Sequence, residues 1–182
     1  AVFENRRNRS EADAVARAVL RHAQQHPDLS LGVATFNIPQ KDLIEEQIDR
    51  LRSAHPVLDN YILHHSENSY PFFVKNLENV QGDERDVIFI SATYGPDKQS
   101  GKVMQRFGPI NVDGGWRRLN VIVTRAKKRV EVFSSMRSTD ILAESSSLAF
   151  RSFRNFSASG MPTTSPPIDL VLPTSCDFCK ST

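Results

Sequence analysis

The sequence predicts a doubly wound α/β domain, a mostly parallel sheet with helices on both faces. Short runs rich in β-branched and apolar residues, SLGVATF and VIFIS, read as strands buried on both sides. Segments with apolar residues at helical spacing alternate with them, which is the pattern of a layered α/β fold. A length of 182 residues with 39% hydrophobic content is enough for one sizeable core. In open sheets of this type ligands gather at the carboxyl ends of the strands.

Ser10, with Asp13 three residues on, resembles a helix start, and Ala12, Val15, Ala16, Val19 and Ala23 then recur on one stripe up to His26-Pro27. Ser30 to Phe36 follows as a buried strand. Asn37 can cap the next helix, with Pro39 in its first turn and Leu43, Ile44, Ile48 and Leu51 on one side, over 38–53. His55-Pro56 ends it. Tyr61 to Leu63 and Phe72 to Val74 are weaker strand candidates around a polar turn, Ser66 to Ser69, and Val87 to Ser91 is a stronger one.

Gly95 to Gly115, glycine-rich and without a sustained period, predicts a long surface loop. Trp116 to Lys127 fits a helix whose stripe is Leu119, Ile122, Val123 and Ala126, and Val130 to Phe133 fits a closing strand. Further helices are expected near Thr139 to Glu144 and Leu148 to Ser157. The expected domain therefore spans 1–160, and the Pro, Ser and Thr-rich stretch 161–182 reads as a tail or the truncated start of a further segment.

Charge is nearly balanced, 23 Lys and Arg against 21 Asp and Glu, so the whole chain carries no diagnostic polyelectrolyte character. Its distribution is more telling. Arg117, Arg118, Arg125, Lys127, Lys128 and Arg129 fall in a stretch without an acid, suited to phosphates or to a plain solvated face. The only cysteines, Cys176 and Cys179, cannot organise a disulfide framework, which fits a reducing, cytoplasmic setting. Their Cys-x-x-Cys spacing is half a zinc site with no second half nearby, so no metal site is expected. No apolar run approaches the roughly 20 residues of a membrane span, and no leader is visible. A chain opening on Ala1 reads as a segment of a longer polypeptide.

Three groups of residues could carry chemistry. On a continuous helix, Arg118 and Arg125 would share a face beside the apolar stripe. A guanidinium aimed at a γ-phosphate neutralises charge developing in phosphoryl transfer and is worth roughly 10³ to 10⁵ in rate. The plainer alternative pairs both arginines with acids of their own domain. In VQGDERD, Gly82 and the charged run place Glu84 at the mouth of the sheet, or simply form a strand-entry turn. Thr35, Asn37 and Gln40 sit where a strand passes into a helix and could bind an anion, or Asn37 could merely cap. Phe72, Phe73 and Trp116 could stack on bases, though packing is the commoner use of phenylalanine. No HExxH, no nucleophile and base pair, and no GxxxxGK[ST] phosphate cradle occurs in these residues.

Together, SLGVATFNIPQ, VQGDERDVIFIS and RRLNVIVTRAKKRVEVFSS resemble motifs IV, V and VI of superfamily 1 helicases, in order, over residues 8–135. The RRLNV form is similar to the branch containing the RNA-decay helicases, and NLENVQGDERDVIF to large bacterial helicase-like proteins of that branch. The resemblance implies a second, C-terminal RecA-like domain. ATP would lie between it and a first RecA-like domain that supplies the phosphate loop and the Mg²⁺ carboxylate. Arg125 would then be the arginine finger. Gly82, Glu84 and Arg118 would contact the nucleotide, and Gln81 would couple nucleotide state to the strand. Thr35 and Asn76, with Asn37 and Gln40, would meet the backbone of single-stranded nucleic acid, DNA being favoured. Asn76 stands where the family often has Thr. The alternative of a different class is a non-catalytic RecA-like module that docks nucleic acid or a protein partner.

Overall fold

The computed structural model describes residues 3–80, 82–103, 115–136 and 169–171. A small antiparallel hairpin, β1 (Phe3–Glu4) and β2 (Arg7–Asn8), turns through Asn5 and Arg6, both at positive φ. It leads into α1 (Arg9–Gln25). Then follow β3 (Leu31–Thr35), α2 (Ile38–Ala54), α3 (Pro56–Ser66), β4 (Phe73–Asn76) and β5 (Arg85–Ser91). The last described elements are α4 (Gly115–Val123), β6 (Ala126–Phe133) and β7 (Asp169–Val171).

The main sheet has five strands in the order β4-β3-β5-β6-β7, every neighbouring pair parallel. β5 lies at its centre, and from Val87 to Ser91 it is buried without interruption. The pleat sends alternate residues to opposite layers. Val87 and Phe89 join Leu31, Val33, Val74 and Phe133 under α1, α2 and α3, where Val15, Val19, Ile44, Ile48 and Leu58 close the core. Ile88 and Ile90 join Ala34, Phe36, Phe73, Val130 and Val132 on the other face, which Ile122 of α4 covers. Helices on both faces of a parallel sheet give the doubly wound, RecA-like architecture that the alternating pattern predicts.

Several boundaries differ from the sequence expectation. The cap of α1 is Asn8, two residues before Ser10: its side chain accepts from Glu11 N at 3.2 Å. Tyr61 to Leu63, expected as a strand, lies inside α3. Pro56 opens that helix, and Leu58, Tyr61 and His65 make its buried stripe. Two of these side chains then fasten the loop before β3, Tyr61 Oη donating to Leu29 O at 2.8 Å and His65 Nε2 meeting Pro27 O at 2.9 Å. His22 of α1 also meets Leu29 O, at 2.9 Å, and burial pushes its imidazole down to about 4, so it is neutral near pH 7.

The helix expected to run to Lys127 stops at Val123. Thr124 and Arg125 form the closing turn, their amides bonded to Asn120 O and Ile122 O at 3.0 Å each. Arg125 O then accepts from Arg85 N at 3.0 Å, which draws the chain into the sheet one residue later. Ala126 is buried as expected, but on a strand. Of the predicted loop 95–115, residues up to 103 are described. They begin as a turn, Asp97 Oδ1 accepting from Gln99 N at 3.1 Å and Ser100 N at 2.9 Å. The predicted helices near Thr139 to Glu144 and Leu148 to Ser157 lie outside the described residues, as do Cys176 and Cys179. Asp169–Val171, from the Pro, Ser and Thr-rich stretch, pairs with Arg129 to Glu131 as the outer strand.

One glycine is required by packing. A Cβ on Gly32 would come within 2.3 Å of the Phe73 ring, which lies flat against this position from the neighbouring strand. Phe73 is itself held beneath the Arg85 guanidinium, 4.8 Å from the ring centroid, so it has little room to yield. Gly32→Ala is expected to destabilise the domain by about 1–3 kcal/mol through overpacking. Adding Phe73→Leu should recover part of that loss in chemical denaturation; a neutral Gly32→Ala would contradict this packing.

Candidate nucleotide and nucleic-acid edges

Parallel strands have all their starts on one edge of the sheet and all their ends on the other. Residues 82 to 84 precede β5 and residues 124 and 125 precede β6, so both turns lie at the amino edge. Glu84 was expected at the carboxyl mouth, and the structure corrects that placement: a segment that enters a parallel strand cannot lie where strands leave. The two turns are joined directly by the Arg85 N to Arg125 O bond.

At this edge Gly82 takes φ +89°, a conformation that favours glycine, and a Cβ there would meet nothing within 4 Å among the described residues. The backbone is therefore open to approach. Asp83 is anchored to Lys75 at 2.7 Å. Arg85 is buried and structural: its Nε donates to Pro71 O at 2.9 Å and its Nη1 to Glu84 O at 2.6 Å. Arg125 differs in kind. Its side chain is 26% exposed, its Nε donates to Val121 O at 3.2 Å, and Nη1 lies 3.8 Å from Glu84 Oε1, itself 51% exposed. Beside them Lys127 Nζ sits 4.1 Å from the centroid of the exposed Tyr70 ring.

Arg118 is exposed on α4, and the early end of that helix separates it from Arg125, so the two do not share one helical face. Gln81 lies outside the described residues. The Trp116 side chain does too.

The opposite edge holds Thr35, Asn37, Gln40 and Asn76. Thr35 and Asn76 are register partners at the ends of β3 and β4, and both are buried. Thr35 Oγ1 donates to Asn37 O at 2.9 Å; Asn37 caps α2, accepting from Gln40 N at 2.8 Å. Asn76 Oδ1 is buried with no hydrogen-bond partner among the described residues. Gln40 is fully buried and its amide is used internally. It accepts from Asn8 N at 2.8 Å and donates to Asn8 O at 3.1 Å and to Ser91 Oγ at 3.4 Å. Phe73, weighed as a base-stacking residue, packs in the core instead.

The sequence reading missed Asn8 and Glu11 at this edge. Glu11 is buried, its Oε1 accepting from Ser91 Oγ and Thr93 N at 2.6 Å each, and its Oε2 lying 3.4 Å from Ser135 Oγ. Burial pushes its carboxyl up to about 7, against the lowering effect of these hydrogen bonds. The available signal was NRSE, an N-x-x-E capping arrangement starting at Asn8 rather than Ser10.

The fold and its two edges define a RecA-like α/β domain. Residues 3–137 match the AAA domain family, and the chain belongs to that family. It is 42% identical over 149 residues to an uncharacterized ATP-dependent helicase of Mycoplasma genitalium, an alignment covering 80% of this chain and 13% of that protein. A homologous ATP-dependent helicase of Mycoplasma pneumoniae is 40% identical over 142 residues, covering 76% of this chain and 12% of that protein. The chain spans only 12–13% of the length of these relatives. Among the described residues no group of three or more His, Cys, Asp and Glu could hold a metal, and no helix is long and apolar enough to cross a membrane.

An ion pair at 3.8 Å with both partners partly in solvent contributes at most about 1 kcal/mol. Glu84 therefore holds Arg125 lightly. Arg125→Ala is expected to lower stability by less than about 1 kcal/mol in denaturant unfolding. A loss well above 2 kcal/mol would make this arginine structural.

Proposed function

We propose that this chain is the second, C-terminal RecA-like motor domain of an ATP-dependent superfamily 1 helicase or translocase. It supplies the arginine finger and part of the single-strand surface. The observation that carries the reading is the union of the glycine turn before β5 and the arginine turn before β6 at one sheet edge, with a partly exposed guanidinium held by one backbone carbonyl and an exposed carboxylate. A finger must be able to leave its own domain, and this one is free of the core.

The donor set at the amino edge fits one side of a nucleotide. Gly82 leaves the backbone approachable, Arg125 can neutralise terminal phosphate charge, and Glu84 can accept from a ribose hydroxyl; Arg118 and Gln81 are assigned to the nucleotide by the family resemblance. The carboxylates that would hold Mg²⁺ and the loop that would cradle the phosphates are assigned to the first RecA-like domain of the same polypeptide. Bound there, ATP would supply the γ-phosphoryl group whose transfer to water powers the motor. This chain's part is electrostatic: Arg125 turns from Glu84 toward the phosphates as the domains close.

Thr35 and Asn76 are assigned to the backbone of single-stranded nucleic acid, DNA favoured, with Asn37 and Gln40 shaping the edge. Phosphate oxygens only accept, so an Asn76 contact would be made by its side-chain amide nitrogen. The setting assigned is cytoplasmic. Arg125→Ala in the full-length protein is expected to lower ATP turnover by roughly 10³-fold or more while changing ATP affinity far less. Turnover like the wild type would reject the finger, and with it the motor in favour of a non-catalytic docking module.

A further inference from the structure

The buried carboxylate of Glu11 has no part in the chemistry above, yet it meets the exits of two strands at once. Ser91 ends β5, Thr93 lies just beyond it, and Ser135 follows β6. From there hydrogen bonds continue without a gap. Ser91 Oγ is 3.4 Å from Gln40 Nε2, Gln40 N donates to Asn37 Oδ1 at 2.8 Å, and Asn37 O accepts from Thr35 Oγ1 at 2.9 Å. Asn8 closes the circuit, donating from Nδ2 to Ser135 Oγ at 2.8 Å and from its backbone to Gln40 Oε1 at 2.8 Å.

A second observation marks the same carboxylate. Thr93 takes φ +69°, rare for a β-branched residue, and Tyr94 N bonds back to Ala92 O at 2.7 Å, a tight turn of the strained, left-handed kind. The amide of that strained residue is one of the donors Glu11 Oε1 accepts. Strain of this kind persists only where surrounding contacts hold it. Gly95, two residues on, packs where a Cβ would lie 3.2 Å from both Asn8 Nδ2 and Ser135 Cβ, so the whole exit is built closely around this group.

We propose that Glu11 is the positioning residue of the strand-binding edge, its carboxylate fixing the exits of β5 and β6 against the start of α2 so that Thr35, Asn37 and Asn76 present one defined surface. The inference rests on the assignment of that edge to single-stranded nucleic acid. Among the described residues, the groups bonded to Glu11 are Asn8 of β2, Ser91 and Thr93 at the exit of β5, and Ser135 after β6, all uncharged. Burial is the largest influence on its ionisation and raises the carboxyl to about 7, against the lowering effect of these hydrogen bonds. Above about pH 7 the carboxylate accepts from every neighbour; below it one oxygen becomes a donor and the arrangement around Ser135 and Asn8 must change.

The test uses the full-length protein and single-stranded oligonucleotides, measuring the oligonucleotide concentration that half-maximally stimulates ATP turnover from pH 6 to 8. In the wild type that concentration should fall roughly threefold to tenfold as pH rises, opposite to the trend expected when histidines charge and strengthen phosphate binding. Glu11→Gln keeps an acceptor for Ser91 and Thr93 but cannot ionise, so its value should be flat across the range and its turnover without oligonucleotide unchanged. Glu11→Ala should weaken stimulation at every pH; if that variant does not fold, the Gln variant decides alone. A Glu11→Gln protein that keeps the wild-type pH dependence overturns the proposal while leaving the motor intact. A wild type that no oligonucleotide stimulates overturns both.

Discussion

The parallel pairing of β5 with β3 on one side and β6 on the other is the constraint from which the rest follows. Leu31 to Thr35 runs beside Val87 to Ser91, and Val87 to Ser91 beside Arg129 to Phe133, with all three strands pointing the same way. Each must then be joined to the next by a crossover, which places helices on both faces and buries both sides of the centre. That burial accounts for the unbroken VIFIS run and for two cores rather than one. It also separates the polar residues into two groups at opposite ends of the same strands.

Those ends are held by different physics. At the amino edge the charged groups are partly solvated, so Arg125 and Glu84 attract each other weakly and either can exchange partners. At the carboxyl edge the polar groups are buried, and Glu11, Asn8, Gln40 and Ser91 bond to one another, while Asn37 Nδ2 and Asn76 Oδ1 have no partner among the described residues. A loose edge suits a residue that must reach a neighbour. A locked edge suits a surface whose shape has to be kept. β5 and β6 connect the two edges, the arginine turn entering β6 at one end and Ser91 and Ser135 following the strands at the other.

Much of this was legible from residues alone. β3, α2 and β5 stand out because their apolar periods are long and their neighbours punctuate clearly, as with Asn37 and Pro39. α3 was not, because Tyr61-Ile62-Leu63 looks like a strand core while the true helical stripe runs through His65, a residue counted as polar until its ring is seen to bind Pro27 O. α4 was drawn too long because Ala126 faces the core from either a helix or a strand. The edge of Glu84 was deducible, since QGDE precedes its strand; the general rule about carboxyl ends overrode that simple fact. The Glu11 network could not be deduced: its partners Ser91 and Ser135 lie 80 and 124 residues away, and only the sheet brings them together.

The proposed finger requires a second domain that holds the phosphates, and the proposed strand surface requires that nucleic acid act on the motor. ATP hydrolysis by the full-length protein, with and without single-stranded nucleic acid and beside this chain alone, tests both at once. The account predicts hydrolysis by the full-length protein that nucleic acid accelerates, and none by the isolated chain. Hydrolysis by the isolated chain, or a full-length rate indifferent to nucleic acid, would contradict it.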